Sequence, residues 1–550
     1  MARQKPRSDF FTFAVHWLLI TALSVSLFTG LRIAADMPQS SFASNFSGLL
    51  PQGNVIFWHL ISAVGFVALF AAYAVFIWRA GLWGRIALNR SWRTDIMGGT
   101  DARGWWRALN VLIYWVAFAA LIVALITGLA MGVLPGLMAY PLAAMVHEYA
   151  AWVLPAYMVV HVAALAFMGG VSQLLKIFRP TPAFGIAAGG AVIAGTAAAA
   201  MMMTLERTAS ENLMVMRTDE LPDLDGNPDD ASWGIAAPVT VTTTRGANSD
   251  EGVTDVTVRA LHDGTDIYVL LQWEDATRSQ KHLPLVRTEA GWQVQQSEFS
   301  IQDEDDYYED KFGVMLSRGG GIAGDHSIHL GPQPLDNAPE PSGGRGLHYT
   351  TDGSVVDVWH WKSVRTGNTV MNQIDDNYFG PPMVPKGEGR YTGGYSKDPK
   401  DGGGYAMNWE EYSDDLVTPV ALPRDPSMLS QFQQVNLAPD AGDDIGLFLR
   451  ESETVPYDPA LDTLENFPVG TILPAVIVDA PMEGDRGDVT AVSHWENGVW
   501  TMEVRRKLDT GSEYDVAFLP DAPTYLWVAA FDHAQTRHTR HLYPVVVELE

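Results

Sequence analysis

Four histidines, His16, His59, His147 and His161, lie inside long apolar stretches of this 550-residue sequence. Neutral imidazole nitrogen is the commonest protein ligand for metals, and an ionisable side chain in an apolar span marks function more often than packing. The last two are 14 residues apart. At 100° per residue that spacing turns through about 1400°, roughly 40° short of four full turns, and rises about 21 Å. Both side chains then face the same way, one near each end of a span. Cysteine is absent, which excludes a disulfide framework, a thiolate nucleophile, Cys-bound zinc or iron–sulfur clusters, and the C-x-x-C-H attachment of covalent haem. Any redox group must be held by His, Met, Lys or carboxylate.

Five stretches are long enough to cross a bilayer, which takes about 20 residues of helix. They run approximately Phe10–Ala34, Val55–Trp78, Leu109–Leu134, Leu142–Gly169 and Phe184–Thr204. The first follows Arg3, Lys5 and Arg7 but is too long for a signal peptide and lacks a cleavage site, so it reads as a retained span. Arg79, Arg85, Arg90, Arg93, Arg103 and Arg107 crowd the loop after the second span, and Lys176 and Arg179 follow the fourth. Positive loops stay inside, which predicts a cytoplasmic N-terminus and an external second half. Threaded this way, His59 shares a depth with His147 and His16 with His161. Two bis-imidazole sites stacked across a membrane suit two non-covalent b-type haems, whereas zinc would want three or four ligands clustered at one depth. Two Thr-Gly-Leu triplets, Thr29-Gly30-Leu31 and Thr127-Gly128-Leu129, allow close approach of a flat ring or simply of a neighbouring helix. Pro155, between the last two histidines, predicts a kink.

Histidines in the first and second spans and twice in the fourth, the last two 14 apart, resemble the bacterial di-haem cytochrome b561 family. The resemblance covers roughly residues 8–180 and implies quinol or quinone chemistry beside one haem, in a bacterial inner membrane. The expected first domain is 1–182, an all-α transmembrane four-helix haem bundle. A fifth transmembrane helix at 183–205, outside the four-helix pattern, returns the chain to the periplasm.

The charge divides at the same boundary. Residues 1–205 carry 12 basic and five acidic residues, a net of +7, and 206–550 carry 24 and 59, a net of −35. A domain so acidic repels phosphate, so nucleic acid is excluded as a partner. Strand-like runs, Val253–Leu261, Asp266–Trp273, Lys311–Leu316, Val355–Trp361, Val489–His494, Val499–Val504, Tyr525–Phe531 and Tyr543–Leu549, alternate with turn clusters. They predict an all-β sandwich over 206–550, with long ordered loop insertions between about 319 and 488. Candidate ligands are His326 and His329 in a glycine-rich loop, His360 with Lys362 on the strand face opposite Trp359 and Trp361, and His533, His538 and His541 before the last strand. The acidic run Asp303–Asp310 reads as a solvated face, with a docking patch or a calcium site as the alternatives.

Leu224–Trp233, Glu309–Met315, the loop ending in His329, and Val356–Lys362 are similar to the ethylbenzene-dehydrogenase-type haem-binding domain, as in the γ subunits of periplasmic molybdenum dehydrogenases. The similarity spans about 219–550, with an insertion around 380–480. It implies one b haem, ligated by a Met or His after the third or fourth strand and a Lys or His near the C-terminus. His329 falls where the first belongs, with Met315 as its substitute, and His538 or His541 where the second belongs. No lysine follows Lys507.

Together these features predict a membrane-bound b-type cytochrome carrying two membrane haems and a third in the periplasmic domain. Its expected partners are quinol or quinone, the lipid bilayer, and a periplasmic redox protein or molybdenum-type oxidoreductase. Two alternatives stand beside it. The periplasmic domain could act on its own small-molecule substrate as a quinone-linked oxidoreductase, or serve as a haem-free dock.

Overall fold

Four helices, α1 (Phe10–Ala35), α2 (Val55–Arg79), α3 (Ala102–Gly132) and α4 (Tyr140–Gly169), are long and apolar enough to cross a membrane. They belong to a computed structural model that describes residues 10–35, 45–174 and 207–550, together with 193, 196–201 and 203–204; from these are excepted 80, 82, 89, 98–101, 133, 135–136, 298–303, 323, 325–326, 331–346, 384–392 and 410–415. The expected fifth span at 183–205 lies largely outside the described residues. The chain divides into two units, Met1–Ala209 and Ser210–Glu550.

In the first unit α1 packs along α2, and α3 along α4. Trp58, Val75, Ile122, Val159 and Phe167 stay exposed. In water such a surface would be a liability; hydrocarbon solvates it. Helix α4 runs unbroken through Pro155. Arg32, fully buried in the last turn of α1, donates from Nε to Pro51 O at 2.9 Å and from Nη2 to Leu50 O at 3.3 Å. One guanidinium thereby satisfies carbonyls of the α1–α2 connection that lipid could not.

The second unit is built on one twelve-stranded sheet. Its strands are β1 (Asn212–Arg217), β2 (Val239–Thr244), β3 (Val253–His262), β4 (Asp266–Glu274), β5 (Lys311–Ser317), β6 (Val356–Lys362), β7 (Asp375–Phe379), β8 (Tyr395–Lys397), β9 (Thr490–Glu496), β10 (Val499–Lys507), β11 (Thr524–Phe531) and β12 (Val545–Leu549). Their order is β8-β7-β6-β5-β11-β12-β1-β3-β4-β10-β9, with β2 beside β3. Most neighbours are antiparallel, but β1 lies parallel to both β12 and β3. The sheet curls until its two halves face each other, as in a sandwich. Trp273 of β4 and Trp500 of β10 meet Phe312 of β5 and Trp361 of β6, with Trp273 4.4 Å from Phe312 and Trp361 5.0 Å from Trp500. Trp359 and Trp361 are core residues, as alternation along β6 requires.

The stretch between β8 and β9 does more than lay loops over the sheet. Val417, Leu422, Phe432, Leu447, Phe467 and Ile472 gather with Leu285 and Trp292 into a second apolar core. The acidic run also departs from expectation. Glu304, Glu309 and Asp310 are buried, while Asp303 lies outside the described residues. Glu309 accepts from Val364 N at 2.6 Å, Arg365 N at 3.0 Å and Arg365 Nε at 2.5 Å. Burial alone would raise its pKa, yet Arg365 and His282 hold the carboxyl well below the usual carboxylate range. The sequence reads as a solvated face because the partners, Arg365 and His282, are remote from the run. The run is an internal anchor that fastens the start of β5 to the turn after β6.

Truncating the stacked core tests the curl: Trp273→Ala should cost about 3–5 kcal/mol in urea unfolding, while leaving the helical unit's far-ultraviolet signal intact. His282 tests the anchor. Buried, with Arg365 beside it, its pKa is lowered to about 4 from 6.5, so the unfolded chain binds more protons between those values. Stability should be full above about pH 6.5 and fall as pH drops toward 4. In His282→Gln that loss should flatten in thermal unfolding followed across pH.

Candidate functional site

The helices bring the four span histidines into two pairs. Ring centroids of His59 and His147 are 6.3 Å apart with planes at 70°, and those of His16 and His161 are 6.5 Å apart at 55°. Two metal–nitrogen bonds of about 2 Å, with an imidazole radius at each end, span about this distance. The rings are too far apart to stack and are held at an angle instead.

Their back sides explain how they are held. His59 Nδ1 lies 3.0 Å from Ser26 O and 3.1 Å from Thr29 Oγ1. His147 Nδ1 lies 2.9 Å from Ala124 O and 3.1 Å from Thr127 Oγ1. Each threonine hydroxyl donates to its own helix, Thr29 to Val25 O at 2.6 Å and Thr127 to Val123 O at 2.8 Å. These neighbours of Nδ1 are therefore acceptors, so Nδ1 carries the proton and Nε2 keeps the lone pair a metal needs. The adjacent glycines make room: a Cβ on Gly30 would stand 3.1 Å from His59 Cε1, and one on Gly128 3.4 Å from His147 Cε1. The Thr-Gly-Leu triplets thus seat the imidazoles, a role their sequence only partly disclosed.

The second pair is held differently. His161 Nδ1 lies 2.8 Å from Asn110 Oδ1, and Asn110 is itself buried. Tyr114 and Tyr157 flank the same ring, each with its centroid 5.4 Å away and Tyr157 stacked at 25°. Asn110 was missed in the sequence. An amide at the start of an apolar span is a signal of the same kind as the histidines, one turn of helix from Tyr114.

In the second unit Met315 is buried near the middle of β5, and Ser327 Oγ reaches its Sδ at 3.6 Å. His329 stacks on Tyr349, 4.0 Å between centroids at 13°. Met315 and the 327–329 segment are thus brought together; His326 lies outside the described residues. His541 is occupied on both sides, accepting from Val528 N at 2.9 Å through Nε2 and donating from Nδ1 to Tyr543 O at 2.7 Å. His538 donates from Nδ1 to Thr539 O at 2.7 Å and lies 4.7 Å from the Phe531 ring. His533 is engaged with Asp532 at 2.6 Å.

Strand register adds a residue to this set. Gly313 lies opposite both His360 and Ala529, and Met315 opposite both Val358 and Trp527. These six share one face of the sheet, with Gly313 and Ala529 as a low floor between larger side chains. His360 Nε2 and Trp527 Nε1 are shielded from solvent without a hydrogen-bond partner among the described residues. A planar group with polar edges fits such a face, and buried polar atoms of this kind ask for a partner.

Comparison with known proteins agrees with this division. The family model described as prokaryotic cytochrome b561 matches residues 7–180, and that described as ethylbenzene dehydrogenase matches 230–542, more than half of the chain. No curated protein matches. Among solved structures, a proposed carbohydrate-binding protein from Bacteroides uniformis is 7% identical with a TM-score of 0.24, covering 62% of this chain and 99% of its own. A carbohydrate-binding module of family 9 from Caldicellulosiruptor kristjanssonii, solved with cellotriose, is 9% identical with a TM-score of 0.21, covering 62% and 95%. Scores this low carry neither fold nor ligand across. The chain belongs to the prokaryotic cytochrome b561 family over its first unit and to the ethylbenzene dehydrogenase family over its second, which makes it a bacterial membrane cytochrome that carries haem b among its helices and transfers electrons.

Proposed function

We propose that the protein passes electrons between the quinone pool and a redox partner in the periplasm. The observation that carries this reading is the double pairing of histidines across the helices, each at about the span of a bis-imidazole iron site. In this reading His16 with His161 and His59 with His147 would hold two haems. When bound there, b-type haem supplies a one-electron ferric/ferrous couple. The protein's own part is orientation. Ser26, Ala124, Thr29 and Thr127 fix the tautomer and tilt of His59 and His147, and Asn110 does the same for His161. With two imidazoles committed to each haem, neither site would leave room for a substrate, so electron transfer is favoured over substrate activation.

The arginine-rich loop after α2 supports a cytoplasmic N-terminus, with His16 and His161 toward the cytoplasm and the second unit in the periplasm. That unit holds a third b haem in this proposal. Met315 or His329 would hold it on one side and His538 on the other. His541 stands behind His538 as a candidate because both its nitrogens already serve the backbone. The partner is then a periplasmic redox protein or a molybdenum-type oxidoreductase.

Pyridine haemochrome quantitation tests both levels. His59→Ala should lose one membrane haem and retain the other; full haem content in that variant would dissolve the pairing. The intact protein should contain three haems per chain, and the double variant Met315→Ala/His329→Ala two. A wild-type content of two would leave the second unit as a haem-free dock.

A further inference from the structure

A group of aspartates takes no part in the sites described above. Asp357 on β6, Asp376 on β7 and Asp515 in the segment after β10 each direct a carboxylate oxygen to within 4.8 Å of the others. Asp376 lies opposite Trp359 in the β6–β7 register, and Asp398, just past β8, donates its N–H to Asp376 O at 3.2 Å. Asp357 and Asp376 are wholly buried and Asp398 is 3% exposed. Asp488, before β9, interacts electrostatically with Asp515 and Asp357. Five chain segments thus deliver acid to one place.

The hydrogen-bond arrangement around them is incomplete. Both oxygens of Asp398 are shielded with no donor among the described residues, and so are Asp357 Oδ1, Asp376 Oδ2, Asp488 Oδ1 and Asp515 Oδ1. The donors that do arrive sit on other atoms. The Arg506 guanidinium and Val516 N bind Asp357 Oδ2, Asn377 N binds Asp376 Oδ1 at 2.9 Å, and Thr510 Oγ1 binds Asp515 Oδ2 at 2.5 Å. Ionised carboxylate oxygens only accept, so they cannot satisfy one another. Arg506, which also donates to Val516 O at 2.6 Å, offsets one charge. Burial, then repulsion from Asp515 and Asp357, pushes Asp398 up to about 8; burial and Asp515 push Asp488 up to about 7. Such a group must take up protons or a cation.

We propose that Asp357, Asp376, Asp398 and Asp515 bind one calcium ion, with Asp488 at its rim. The donors are all oxygen, with neither imidazole nor thiolate among them, which selects a hard cation over zinc, copper or iron. Several carboxylates arriving irregularly from separate segments suit calcium, which takes six to eight oxygens in flexible geometry. Magnesium prefers a strict octahedron and retains much of its water. Calcium here fastens the β6–β7–β8 edge of the sheet to the segments leading into β9 and following β10.

Full-length protein in detergent, stripped with chelator, is titrated with calcium chloride and followed by equilibrium dialysis with radioactive calcium and by thermal unfolding. One calcium should bind per chain at sub-millimolar concentration, and millimolar calcium should raise the melting temperature by about 4 °C. Asp376→Asn and, separately, Asp398→Asn should weaken binding at least about tenfold and abolish the rise. In chelator both variants should melt at or above the wild-type temperature, because a repelling charge is gone; this verifies that they fold. Absence of calcium uptake by the wild type overturns the proposal, as do undiminished binding in both variants and preferential binding of magnesium or zinc at equal concentration.

Discussion

An imidazole among lipid-facing helices can offer a lone pair from one nitrogen only if the other keeps its proton and donates it in a hydrogen bond to something fixed. In the first unit that requirement is met by carbonyls that the helices make locally available. Thr29 and Thr127 lean on their own helix one turn back, and His59 and His147 lie against the same turn. Glycine next to each threonine lets the ring approach. The close packing of α1 on α2 and of α3 on α4 is tied to these contacts, since a displaced helix would leave an imidazole proton unpaired in hydrocarbon.

The second unit obeys the complementary constraint. It buries many charges, so their partners must be supplied from within. Lys281 with Asp443, Lys362 with Asp375, Arg365 with Glu309 and Arg506 with Asp357 are all internal pairs. All but the Lys362–Asp375 pair, which ties the adjacent strands β6 and β7, join segments far apart in the chain, and breaking one would strand the other half at a cost of several kcal/mol. The number of acids in the unit is therefore a poor guide to its surface, because a part of the acid is structural.

Local patterns foretold much of this architecture. Apolar runs of helical length marked α1 to α4, and 100° per residue sufficed to set His147 and His161 on one side of α4. Alternation marked β3, β4, β5, β6, β9, β10, β11 and β12 to within a few residues. Apart from strands such as β2 and β7, which pair with neighbours in sequence, what escaped detection is non-local. Strand β1 is short and finds its partners β12 and β3 only through closure of the sheet. The second core within the long insertion draws on Trp292 from before it. Glu309 looked like surface acid because Arg365 comes 56 residues later. Asn110 meets His161 across 51 residues. Such pairings leave no periodicity behind them.

The two histidine pairs are anchored by different chemistry. His59 and His147 both lean on peptide carbonyls and threonine in the same manner, whereas His161 leans on a carboxamide between two tyrosines. Two rings backed in the same way would be interchangeable as electron-pair donors. These are not: the acceptor behind an imidazole tunes the basicity of its free nitrogen, so Ser26 O behind one ring and Asn110 Oδ1 behind another give the two pairs unequal donor strength, and that asymmetry comes from one side-chain amide in α3.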